Sequence, residues 1–336
     1  MAAWVDRVDA FQQRHPVLGF PLAVVYKFFD DQGNYLAAIV TYYAFIAIFP
    51  LLLIASSVLG LLLKGDAELR QAVLTSALSQ FPIVGTQIGA PQGLQGSVSA
   101  VVIGSLAALY GVIGLGQAAQ NAVNTAWSIP RNSRLNPVVS RVRSFILMVL
   151  AGVTVLLVAM LSSASSHLSV FGADAGTGLN LLFSFLAVAL NAVVISIMMR
   201  LATAQQETMS QVLPGGITIA VLWQALQLLG GAYVSRVVSR ADDMSAIFAV
   251  VLGLIALIYL AAVIGVFGLE VNVVLARRLY PRALLTPFTD DVHLTEADRR
   301  AYADYAKAQR HKGFQRVRVS FSNRPDGDDD QTPPQD

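Results

Sequence analysis

The chain has 336 residues, 55% of them apolar and only 13% charged, where a soluble domain carries about 25% charged residues. Its net charge of +2 identifies no partner, and the absence of cysteine excludes disulfides, a thiolate nucleophile and a cysteine metal site. The apolar residues gather into long runs, and a run of about 18 or more reads as a membrane crossing, because about 20 residues in a helix span a hydrocarbon core of about 30 Å.

In chain order, residues 1–35 come first. "WVDRVDAFQQRHP" and "LGFPLAVVYKFF" read as short amphipathic helices along the membrane surface, with Trp4, Phe11, Phe20, Phe28 and Phe29 at the headgroups and Lys27 snorkelling. Lys27, Asp30 and Asp31 interrupt the first apolar stretch, which does not fit a cleavable signal. Six spans follow, at about 36–63, 98–119, 145–161, 179–199, 214–234 and 247–276. Between the first two, "AELRQAVLTSALSQF" forms an amphipathic helix on the outer side. Asp242 and Asp243 precede the sixth span as candidate caps. In the tail, residues 280–336, Thr295 with Asp298 opens a short helix as a capping box, and "NRPDGDDDQTPPQD" is expected to be disordered. Lysine and arginine alternate with the spans: 19 fall on the side of the termini and four on the other. The positive-inside rule then places both termini in the cytoplasm. The expected fold is all-α: a polytopic membrane protein of six transmembrane helices, occupying residues 36–279, with interfacial amphipathic helices.

The polar residues inside these runs are the candidate site. Pro50 predicts a kink, read either as packing or as a hinge beside a cavity, and Tyr43 lies two turns earlier. Gln117, Gln120, Asn121 and Asn124 form one stripe toward the cytoplasmic end of the second span, after Gly111, Gly114 and Gly116. Four amides facing lipid would be costly, so they face inward, either as interhelical hydrogen bonds or as the wall of a wet cavity that Asn191 and Gln224 extend. Glu270 is the carboxylate embedded in an apolar run, about 10 Å inside the end of the sixth span. An acid there asks for a partner, and Arg200 or an arginine of the 131–143 loop is the expected one. Asn272 lies beside Glu270 on a different face.

Other chemistry is missing. His15, His167, His293 and His311 are dispersed, no metal-binding spacing occurs, and no phosphate-binding glycine loop with its lysine is present. No cofactor and no enzymatic activity are expected.

The stretches "DDQGNYLAAIVTYYAFIAIFPLLLIASSVLG", "GQAAQNAVNTAW" and "YLAAVIGVFGLEVNVVLARR" resemble the YihY/BrkB family of bacterial inner-membrane proteins, over about residues 30–278. The resemblance implies six spans with cytoplasmic termini and marks Tyr43, Pro50, Glu270 and Asn272 as family-typical positions. It also implies serum resistance in some members, a transport role for which lipids are the suggested substrate, and an old ribonuclease label in others. Three functions are weighed. A transporter of a lipid-like or amphipathic substrate predicts a polar cavity among the helices and membrane lipids as partners. A membrane scaffold predicts tight, dry packing. A ribonuclease requires a cytoplasmic acidic or histidine cluster that is missing, so no specific nucleic acid is expected.

Overall fold

The computed structural model describes residues 3–62, 98–170, 177–236, 243–284, 286, 289 and 292–321. The outer amphipathic segment at 67–81, Asp242, the side chains of Asp243 and Pro50, and the final acidic stretch lie outside the described residues. Among those described, all regular structure is helical: α1 (Ala3–Arg14), α2 (Pro16–Asp30), α3 (Gly33–Leu62), α4 (Val98–Ala126), α5 (Pro137–Val170), α6 (Thr177–Ala202), α7 (Met209–Arg236), α8 (Asp243–Arg277) and α9 (Glu296–Ala308).

Each of α3 to α8 packs on the next, and α8 returns to α3, so the six long helices close a ring, with α4 also touching α8 and α6 across it. Pro137–Val158, Phe185–Ala202, Met209–Tyr233 and Phe248–Arg277 are long and apolar enough to cross a membrane, and Gly33–Ile48 is a shorter apolar helix. These four fall on the third to sixth expected spans; the first two fall on α3 and α4, which are described in part. The distribution of side chains is inverted relative to a soluble bundle. Phe185, Leu228, Phe248 and Leu252 are exposed, whereas Lys27, Glu270 and Arg282 are among the largest fully buried side chains. An apolar exterior of this extent is a lipid-facing surface.

Small residues set the close approaches. α7 enters between α6 and α8 at Pro214-Gly215-Gly216. An added Cβ on Gly215 would fall 2.6 Å from Asn272 Cγ and closer still to the Gly268 carbonyl of α8; one on Gly216 would fall 2.6 Å from the Ala192 carbonyl of α6. Backbones meet here with no room for a methyl group. The Gly215 N–H donates to Asn272 Oδ1 at 2.6 Å, one residue beyond the proline that lacks an N–H. Gly215→Ala is expected to destabilise the bundle by about 1–3 kcal/mol through overpacking. Gly152→Ala, where nothing lies within 4 Å of the added carbon, is expected to cost nothing. Thermal unfolding in detergent compares the two, and an equally stable Gly215→Ala protein would remove this account of the α7–α8 contact.

α2 departs from the expected surface helix. It packs on α8, and Ala23, Val24, Lys27 and Phe28 are buried while Phe29 and Val25 stay exposed. The physical reason is that Lys27 finds acceptors inside the bundle, so its ammonium does not need to reach water.

Candidate functional site

The helix ends on the side of the termini carry two buried ionic clusters. The first joins α2, the α2–α3 turn, α4 and α8. Lys27 Nζ pairs with Asp31, one helical turn on. It lies 3.5 Å from Glu270 Oε2 and donates to the Ala126 carbonyl at 2.9 Å. The side chains of Lys27, Asp31 and Glu270 are 2%, 2% and 0% exposed. Ala126 is the last residue of α4, so the ammonium also sits where the helix dipole favours a cation. The Tyr305 ring of α9 covers the ammonium at 5.0 Å. Burial pushes the Asp31 carboxyl above its ordinary range, against the pull of Lys27. Burial, then the charges of Asp31, Asp30 and Glu270, holds the Tyr305 hydroxyl protonated. Two carboxyl groups share one ammonium, and both Glu270 oxygens lack a hydrogen-bond partner among the described residues. A buried acid that is close to a cation yet not hydrogen-bonded keeps unused accepting capacity.

The second cluster fastens the tail. Arg282, fully buried, donates from Nε to Asp298 Oδ1 at 2.6 Å and from Nη1 to Asp30 Oδ2 at 2.7 Å. The rings of Tyr302 and Tyr26 flank its guanidinium at 5.3 and 5.8 Å. Burial alone would lower its pKa, but Asp30 and Asp298 outweigh that and raise it. Gln12 Nε2 donates to the Arg282 carbonyl at 2.6 Å, and the Leu284 N–H donates to Asp9 Oδ1. Thr295 and Asp298 form the capping box of α9, and the same Asp298 accepts from the Ala283 N–H. Burial pushes the Tyr302 hydroxyl up to about 12.

The sequence-predicted residues divide between these clusters and the helix seams. Glu270 meets Lys27, not Arg200, which is exposed at the end of α6. Arg143, from the loop offered as the other source, donates to the Thr203 carbonyl at 2.7 Å. Asn272, fully buried, accepts from Gly215 as described and donates to the Met199 sulfur. Gln120 donates to the Ser140 carbonyl at 2.9 Å and the Ser144 hydroxyl at 2.8 Å of α5. Asn124 accepts from the Ala204 N–H at 3.0 Å, and the exposed Asn121 accepts from Arg134 at 2.9 Å. Gln117 and Asn191 are half-buried, and Gln224 is exposed. Tyr43 is half-buried, with its ring beside Gly114 and Tyr110. Of the stripe, Gln120 is thus bonded to α5, while Asn121 and Asn124 are bonded to the loops that follow α4 and α6.

Lys27, Asp31 and Arg282 were missed as site residues. The signal was local: "YKFFDD" places Lys27 and Asp31 at i,i+4 beside aromatic residues, a spacing that brings a pair together on one helix face. Among the described residues no three His, Cys, Asp or Glu side chains gather to hold a metal ion.

The family model described as Virulence factor BrkB matches residues 24–290. Comparison with curated proteins and with solved structures found no match.

Proposed function

The chain belongs to the virulence factor BrkB family of membrane proteins, and from that premise we propose that it is a transporter or translocator of a lipid-like or amphipathic substrate. In this reading α3 to α8 are six spans in the inner membrane, both termini are cytoplasmic, and membrane lipids are its partners, with no catalytic step of its own. The alternation of lysine and arginine along the sequence supports that orientation. The observation that carries the transport reading is the Lys27–Asp31–Glu270 cluster. Ionisable groups within a membrane domain are expensive, and an acid on a spanning helix with unfilled hydrogen-bonding capacity suits a step in which charge is neutralised and restored as helices move.

A non-catalytic scaffold is the second reading, favoured by the way Gln120, Ser140 and Ser144 bond α4 to α5 directly. Such a seam ties helices together without enclosing a path between them.

The test is movement of fluorescent lipids across liposomes reconstituted with the protein, using Glu270→Gln as the comparison. This near-isosteric change removes charge without opening a void. The expected result is translocation by the native protein and a loss of about tenfold or more in the variant, with thermal unfolding little changed. Native protein that moves no lipid, or a folded variant that moves it equally well, defeats the proposal.

A further inference from the structure

A pocket of about 400 Å³ opens between the end of α8 and α9, with Arg277, Arg299, Arg300 and Lys307 around it, Leu279 and Ala303 as its apolar wall, and Asp304 as the acid among its lining residues. Its charges are not balanced. Asp304 is engaged by Arg277 at 2.6 Å, and that arginine also donates to the Trp127 carbonyl and lies over the indole at 5.8 Å. Arg300 uses one donor on the Arg278 carbonyl at 2.7 Å. Among the described residues no carboxylate lies within 4 Å of Arg299, Arg300 or Lys307. Arg299 Nε is buried and has no hydrogen-bond partner among them. Leaving a charged donor buried and unpaired is costly. A scattered set of surface lysines would not present this combination of a concave wall, four cations against one occupied acid, and an unfilled buried donor.

We propose that this pocket binds a phosphate group, either on an anionic lipid headgroup or as a free phosphate. Arginine forks match phosphate oxygens in pairs, and several cations suit an anion with more than one negative charge. Arg277 ends the longest apolar helix, so the pocket lies at the level where that helix leaves the apolar layer and a headgroup is within reach. Arg277 and Asp304 serve as the rigid back of the site. Arg299 and Lys307, eight positions apart on α9 and hence on one face, supply the free donors. The pocket lining shares no residue with the Lys27 cluster, so the proposal holds whether or not that cluster moves a substrate.

The experiment is isothermal titration of the full chain in detergent with inorganic phosphate and, separately, with short-chain phosphatidylglycerol. The comparison variants are R299Q/K307Q and the charge-retaining R299K/K307R. Saturable binding is expected, weakened about tenfold or more in R299Q/K307Q, or about 1.4 kcal/mol, and largely kept in R299K/K307R. Saturation by the lipid assigns a headgroup; saturation by phosphate alone assigns a soluble anion. If neither saturates, or if R299Q/K307Q binds as tightly as the native chain, the site does not exist. Should R299Q/K307Q unfold, equal binding by the native chain and by a folded single variant, K307Q, overturns it in the same way.

Discussion

Lys27→Met is expected to lower the stability of the bundle by about 3–5 kcal/mol, the usual cost of removing one partner from a buried ion pair. The native ammonium serves Asp31, Glu270 and the Ala126 carbonyl at once. Methionine fills most of the same volume, so the loss is electrostatic and not a cavity. Two carboxyl groups then share a site with no cation, and the last carbonyls of α4 lose a donor. The remedy available to the protein is protonation, since like charges in a low-dielectric site cannot both persist. The variant is therefore expected to recover stability at acid pH, where the acids are neutral. Lys27→Met/Glu270→Gln is expected to recover much of it at neutral pH, because one of the stranded acids is gone. Thermal unfolding of the detergent-solubilised chain across pH measures all three. A Lys27→Met protein as stable as the native chain, with the same pH profile, would mean that the cluster holds nothing together.

Arg282→Met is expected to release the tail. Asp298 is fully buried and Asp30 nearly so, and both point at one guanidinium. Removing it strands both acids, again at about 3–5 kcal/mol, but the loss is concentrated where α9, α1 and α2 meet. α9 is short, carries a polar face and is held by this arginine, by Arg277–Asp304 and by Arg300 to the Arg278 carbonyl. A local opening should therefore precede global unfolding. Trypsin is expected to cut at Arg299 and Arg300 in the variant before the bundle melts, and to cut there slowly in the native chain. Arg282→Lys is expected to rescue only in part, because an ammonium lacks the planar fork that reaches two carboxylates on different sides. Equal proteolysis of native and Arg282→Met protein would show that α9 docks by other means.

The four helices α5 to α8 that are long and apolar enough to cross a membrane were legible in the sequence because hydropathy is local: each residue contributes its own transfer free energy, and a run long enough to span a bilayer is visible without knowing its neighbours. Glu270 stood out for the same reason, as a charge where charge is costly. The need of the amides at 117–124 for polar partners was also visible, since that cost belongs to each side chain alone. Their actual partners were not. Gln120 bonds to Ser140 and Ser144, and Asn124 to the Ala204 N–H far along the chain; no spacing rule links these positions.

By itself, then, the sequence determined that the chain is helical, that its long apolar helices suit a bilayer, and that an acid is buried among them. The tertiary structure alone decided that Lys27, and not Arg200, meets that acid, and that Arg282 joins Asp30, 252 positions away, to Asp298. The reason is one of range. Transfer into an apolar medium is an additive property of single residues, whereas an ion pair or hydrogen bond acts over a few ångströms, and only the packing of α2, α8 and α9 brings those atoms so close.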